Sequence, residues 1–94
     1  MELTWRPIAV EDLQKIHRYI AQDNPAAADR IRGAILRSVE RLANFPGLGR
    51  TGRVDGTREL VVPNTPYIVA YTVIGGQVMI LSVIHSARDW PEHF

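Results

Sequence analysis

Three residues, Asp23-Asn24-Pro25, separate two apolar stripes of helical period, and no other feature restricts the fold of this chain so tightly. Before the junction, Val10, Leu13, Ile16 and Ile20 recur three or four positions apart. After it, Ala28, Ile31, Ile35, Val39 and Leu42 do the same. Asn24 suits an N-cap, and Pro25 suits the first helical position, where its missing N–H needs no partner. The spacing predicts a first helix from about Ile8, with Glu11 and Asp12 in its first turn, and a second from about Pro25 to Ala43. So short a junction turns the chain straight back, giving an antiparallel helical hairpin with an apolar face to bury.

What surrounds the hairpin reads as β. Glu2 to Arg6 alternates, with Leu3 and Trp5 on one side, and ends at Pro7. Arg58 to Val62 is a strand stopped by Pro63, and Asn64-Thr65-Pro66 is a turn. Tyr67 to Ile74 and Gln77 to His85 are joined by Gly75-Gly76, a two-residue hairpin signal. Gly47 to Gly56 has no apolar period and reads as a long loop. Ser86 to Phe94 reads as an irregular cap that includes Trp90. The order β-α-α-β-β-β implies an α+β fold, with the helical hairpin packed on one face of a small antiparallel sheet. Ninety-four residues suit a single domain spanning 1–94.

Composition narrows the chemistry. With no cysteine, disulfide scaffolds, thiolate-ligated zinc and thiol catalysis are excluded. No apolar run approaches a membrane span, and the first residues lack the pattern of a signal peptide, so a cytoplasmic protein without a membrane partner is expected. His17, His85 and His93 have no ligand-pair spacing, and neither metal nor cofactor is expected. Gly47-Leu-Gly49-Arg-Thr-Gly52 matches the glycine spacing of a dinucleotide fingerprint, yet it follows a helix and precedes a strand, the reverse of what that site requires.

Net charge is only +1, but it is unevenly placed: residues 30–58 hold seven arginines against Glu40 and Asp55. Ten of the eleven basic residues are arginine, whose planar fork suits carboxylates and phosphates. Arg50, Arg53, Arg58, Arg88 and Trp90 are therefore candidates for contact with a protein partner or nucleic acid. Arg58, His85 and Arg88, if brought together, have the chemistry for metal-free RNA cleavage: cations for the phosphate and an imidazole for proton transfer. The competing structural readings are a satisfied strand-end histidine at His85, a local Arg88–Asp89 ion pair, and solvated charges at Arg30, Arg37 and Arg41 on the second helix. Tyr67 and Tyr71 pack on one sheet face, and His17 and His93 read as exposed and inert.

The segment DLQKIHRYIAQDNPAAADRIRGAILRSVERLANFPGLGR at 12–50 resembles the helical hairpin of the RelE/ParE superfamily of bacterial type II toxins. GTRELVVPNTPYIVAYTVIGG at 56–76 and VMILSVIHSARDWP at 78–91 resemble its carboxy-terminal strands and closing motif. The resemblance implies a toxin neutralised by a cognate antitoxin that wraps its surface, with no small-molecule substrate. RelE-like members cut mRNA on the ribosome with several lysines and arginines around the phosphate, whereas ParE-like members poison DNA gyrase. Here the only lysine is Lys15, and Ile68 stands where RelE-like chains tend to carry a strand arginine. The Asp-Asn-Pro-Ala-Ala-Ala junction and the His-x-x-Arg-Asp ending resemble ParE-like chains. A ParE-like gyrase poison is thus favoured, with a RelE-like endoribonuclease or a non-toxic antitoxin-binding module as alternatives.

Overall fold

A computed structural model describes residues 1–94 apart from Asp89. Its elements are β1 (Glu2–Trp5), α1 (Pro7–Ala21), α2 (Pro25–Arg41), β2 (Arg50–Thr51), β3 (Arg58–Val61), β4 (Tyr67–Ile74) and β5 (Gln77–His85). The two helices pack on a five-stranded sheet of order β1-β5-β4-β3-β2. Among the described residues no helix is long and apolar enough to cross a membrane.

The junction behaves as its residues dictate. Asn24 Oδ1 accepts from the Ala27 N–H at 3.0 Å, and Pro25 opens α2. Ile35, Val39 and Leu42 are wholly buried, each contributing roughly 1.5–3 kcal/mol of apolar burial. In α1 the inward stripe is Ala9, Leu13, Ile16 and Ile20. Val10, assigned to that stripe by spacing, is exposed, because a one-residue step turns a helix by about 100°. The helix also starts at Pro7, so Glu11 and Asp12 fall beyond its first turn, and Asp12 is used elsewhere.

The sheet is antiparallel from β2 through β5, but β1 joins β5 in parallel, which makes it mixed. The crossover from β1 to β5 runs through the whole rest of the chain, a pairing that local sequence cannot announce. β2 is the other addition: two residues of the glycine-rich loop pair with Glu59 and Arg58. Gly75 and Gly76 both take positive φ, forming the tight β4–β5 turn. Pro63 and Asn64 (φ 62°) form the β3–β4 turn, closed by the Thr65 N–H on the Val62 carbonyl. Tyr67, Val69 and Tyr71 face the helices together with Val78, Ile80 and Val83. β5 stays in phase with β4 only through a bulge, the register passing from Ala70↔Ser82 to Tyr71↔Ile80.

Candidate functional site

Two regions gather the side chains capable of chemistry. The first lies at the carboxy-terminal end of β5. β1 ends opposite Ile80, so β5 runs on with one edge unpaired by strand. The chain leaves β1 through Arg6, whose N–H bonds the Ile80 carbonyl, and enters α1 alongside that edge. Asp12 then closes it: one carboxylate oxygen accepts from Ser82 Oγ at 2.6 Å and from the Val83 N–H at 3.0 Å. Between α1 and this end of the sheet opens a cleft of about 670 Å³, with Lys15, Tyr19, Tyr67, His85 and Arg88 on its walls.

His85 pairs with Tyr67 across the β4–β5 ladder, and the two rings meet edge to face, 5.4 Å between centroids. Its Nδ1 accepts from the Ala87 N–H at 3.0 Å, so in the neutral ring the proton sits on Nε2. The Arg88 N–H bonds back to the His85 carbonyl at 3.0 Å, fixing the start of the tail. Burial raises the Tyr67 phenol above its ordinary pKa; the Arg88 charge opposes that rise and Tyr19 adds to it. At neutral pH the cleft therefore offers a protonated phenol, an imidazole anchored through one nitrogen, and a guanidinium. The Arg88–Asp89 pair read from sequence lies outside the described residues.

The second region is built on Glu59, a β3 carboxylate only 2% exposed. Its Oε1 accepts from Arg50 Nε at 3.3 Å and Nη2 at 3.1 Å. Its Oε2 accepts from the Arg53 N–H at 2.8 Å and lies 3.6 Å from Arg53 Nε. The Arg53 guanidinium also rests over the Trp90 ring, 4.1 Å from its centroid. Next to this hub the Tyr71 hydroxyl donates to the Pro46 carbonyl at 2.7 Å and accepts from the Gly49 N–H at 2.8 Å. Arg58 Nη1 donates to the Gly49 carbonyl at 2.8 Å. A Cβ at Gly49 would lie 2.7 Å from the Tyr71 ring and 2.9 Å from the Glu59 carbonyl, so this glycine is there for close packing. Burial pushes the Tyr71 phenol up, partly offset by the Gly49 N–H and the Arg58 charge.

His85 and Arg88 therefore share one cleft, while Arg58 does not join them. Arg58 is in register with Tyr71 and His85 with Tyr67, four positions apart on β4 and about 13 Å along the strand. Arg50, Arg53, Arg58 and Trp90 form a separate, internally bonded group. Sequence reading overlooked Asp12, Glu59 and the His17–Asp29 contact. His17, read as inert, has Nε2 2.7 Å from Asp29 Oδ1 and ties α1 to α2. That hydrogen bond is the main reason the Asp29 carboxyl is held below its ordinary pKa. Among the described residues no group of three metal-ligating side chains occurs.

A family model described as the ParE toxin of type II toxin–antitoxin system, parDE, matches residues 3–90. The chain is 41% identical over 90 residues to the Sinorhizobium fredii protein named "Putative toxin Y4kP", covering 96% of this chain and 93% of the relative. It is 38% identical over 85 residues to Toxin RelE2 of Caulobacter vibrioides, covering 90% and 92%. The structure of a chromosomal ParDE toxin–antitoxin system from P. aeruginosa superposes with a TM-score of 0.83 at 27% identity, covering 90% of this chain and 95% of that one. The RelBE2 toxin–antitoxin complex of Mycobacterium tuberculosis shares the fold, with a TM-score of 0.64 at 23% identity and coverage of 89% and 95%.

Proposed function

This chain belongs to the ParE toxin family of type II toxin–antitoxin systems, and from that membership we propose that it acts in the cytoplasm as a poison of DNA gyrase. It is the toxin of such a system, and its partner is an antitoxin. The observation that carries the choice of target is the separation of Arg58 from His85 and Arg88. Phosphodiester cleavage without metal needs cations and a proton-transfer group converging on one phosphate. Here Arg58 Nη1 bonds the Gly49 carbonyl, and the strand position of Arg58 lies about 13 Å along the sheet from that of His85. Ile68, where RelE-like chains tend to carry a strand arginine, is buried and paired with Val61 and Ile84 on the neighbouring strands. The cleft retains one guanidinium and one lysine, and that Lys15 bridges Glu11 at 3.0 Å.

A ribosome-dependent endoribonuclease is the second reading, favoured by the meeting of His85, Tyr67 and Arg88 in one open cleft. Induction without antitoxin, with thymidine and methionine incorporation followed over the first minutes, separates the two. Gyrase poisoning gives an early fall in thymidine incorporation with double-strand breaks, and His85→Ala stays toxic. An early fall in methionine incorporation with intact chromosomes overturns it. Unimpaired growth would remove both in favour of an antitoxin-binding module.

A further inference from the structure

β1 is the outermost strand of the sheet, and no strand lies along its far edge. Parallel pairing alternates the side to which successive main-chain groups point. The Arg6 N–H bonds the Ile80 carbonyl, so Thr4, two residues earlier, is turned toward β5 as well. Leu3 and Trp5 therefore turn their N–H and C=O groups outward, where among the described residues nothing bonds them. Exposed edges are ordinarily blunted by lysine, proline or a bulge, and β1 has none of these. The strand is also held in place. The Met1 ammonium donates to the Ala43 carbonyl at 2.9 Å, and Thr4 Oγ1 donates to Gln77 Oε1 at 2.8 Å. Leu3 and Trp5 pack against the core, which leaves Glu2, Thr4 and Arg6 on the opposite face of the sheet. Glu2 and Arg6 are about 13 Å apart along the strand, too far to pair with each other. Among the described residues neither has an opposite charge within bridging distance.

We propose that β1 is a self-association edge, pairing antiparallel with β1 of a second copy of this chain about a two-fold axis at Thr4. The strand reads Glu2-Leu3-Thr4-Trp5-Arg6, and in that register it is its own complement. Glu2 falls opposite the partner's Arg6, Leu3 opposite the partner's Trp5, and Thr4 opposite the partner's Thr4. Opposite charges and aromatic–aliphatic pairs are the favourable cross-strand combinations. The main chain agrees with the side chains. Leu3 and Trp5, whose groups point outward, form the hydrogen-bonded pairs, and Thr4 sits at the closer, non-bonded position on the axis. A slip of one residue would set outward groups against inward ones. A slip of two would keep the bonds but draw every Glu2 away from an Arg6. The same register brings Met1, 54% exposed, to the start of α1 in the other copy, where the partner's Ile8 is 48% exposed. The two five-stranded sheets become one, and such an isologous contact closes at two copies. Another strand could use the open hydrogen bonds, but this strand itself supplies the matching charge at both ends, which makes a second copy the occupant. The contact is short, at the low end of interface sizes, so the dimer should dissociate at roughly 10 µM. The inference rests on β1 alone and stands whichever target the toxin attacks.

The test is sedimentation of the full-length toxin, freed of its antitoxin, at concentrations on both sides of that value. Wild type should pass from monomer to dimer as concentration rises. Glu2→Arg alone sets like charges against each other at both ends of the contact, and should weaken the dimer by roughly tenfold or more. Arg6→Glu alone should do the same. Mixed in equal amounts, the two single variants place opposite charges across the edge again, so a heterodimer should form at about wild-type strength. The double exchange, Glu2→Arg with Arg6→Glu, should likewise restore the homodimer. Recovery of this kind cannot be imitated by a misfolded chain, and circular dichroism checks each variant separately. Arg18→Glu, an exposed charge on α1, should leave the dimer within about twofold of wild type. A toxin that stays monomeric throughout overturns the proposal. So does a dimer equally strong in both single variants, which would place the contact elsewhere, and so does weakening without recovery in the mixture. Single variants that release the antitoxin, while wild-type toxin stays monomeric, would give the edge to the antitoxin and overturn the proposal too. The incorporation experiment decides the target without touching this outcome.

Discussion

Around Glu59 the protein consumes its own cations, whereas at the end of β5 it leaves them facing solvent. Arg50 and Arg53 converge on a carboxylate that water scarcely reaches, Arg53 also covers Trp90, and Arg58 is held by the Gly49 carbonyl. In the cleft between α1 and β5, Arg88 lines an open wall. Along the groove between α2 and the β3–β4 turn, Arg30, Arg37 and Arg41 have no carboxylate within bridging distance among the described residues. The count of arginines in a segment therefore says little about the charge that segment can offer. A guanidinium satisfied by a buried carboxylate is part of the scaffold, and one on the wall of an open cleft faces any ligand that enters it. Four of the five residues picked as contact candidates, Arg50, Arg53, Arg58 and Trp90, sit in the internally bonded group, while Arg88 lines the open cleft.

That contrast is tested first where removal should cost most. Glu59→Ala takes the acceptor from Arg50 and from the Arg53 N–H together. It should lower unfolding free energy by about 3 kcal/mol in chemical denaturation, since hydrogen bonds to charged groups are the stronger ones. A loss below ~1 kcal/mol would mean the loop is held by packing alone. Tyr71→Phe comes next, at about 2 kcal/mol, because it orphans the Pro46 carbonyl and the Gly49 N–H in one change. Asp12→Ala, which frees Ser82 and the Val83 N–H at the margin of the open cleft, should cost about 1 kcal/mol.

The difference between the two regions also explains what could be read from sequence. Period and punctuation locate elements, and they did so for the Asn24-Pro25 junction, the Gly75-Gly76 hairpin and the bounds of β4 and β5. They carry no information about partners. β1 alternates in the same way whether it pairs in parallel or antiparallel, so its place beside β5 was invisible. β2 is too short to show a period. Glu59 looks like any strand carboxylate until β2 is laid beside it, and Asp12 looks like a solvated helix residue until the unpaired edge of β5 meets it. The bulge at Ala70/Tyr71 keeps His85 in phase with Tyr67, and nothing local foretells it. The candidate set failed to converge for the same reason: Arg58 and His85 were linked by residue chemistry, and register keeps them apart.

The smallest expected effect is the sharpest discriminator, because the two regions each pair a buried tyrosine with an arginine. Burial raises both phenols, and an arginine opposes the rise in each: Arg88 at Tyr67, Arg58 at Tyr71. A phenol whose folded pKa exceeds its unfolded value of 10.0 stabilises the fold fully below that pH. The contribution is then lost as pH rises through the folded value, because only the unfolded chain ionises readily in that interval. Stability should accordingly decline above about pH 10 by this route. Arg88→Ala should change stability at neutral pH by no more than ~0.5 kcal/mol, as expected of an exposed side chain. It should nevertheless move the Tyr67 titration, followed by tyrosinate absorbance, further upward while Tyr71 stays in place. Arg58→Ala should move Tyr71 instead, and should also cost about 1 kcal/mol at neutral pH by stripping the Gly49 carbonyl of its donor. If both substitutions were equally silent at neutral pH, the Arg58 bond to the Gly49 carbonyl would contribute nothing to the fold. The two regions would then no longer differ in the one property that assigns them their roles.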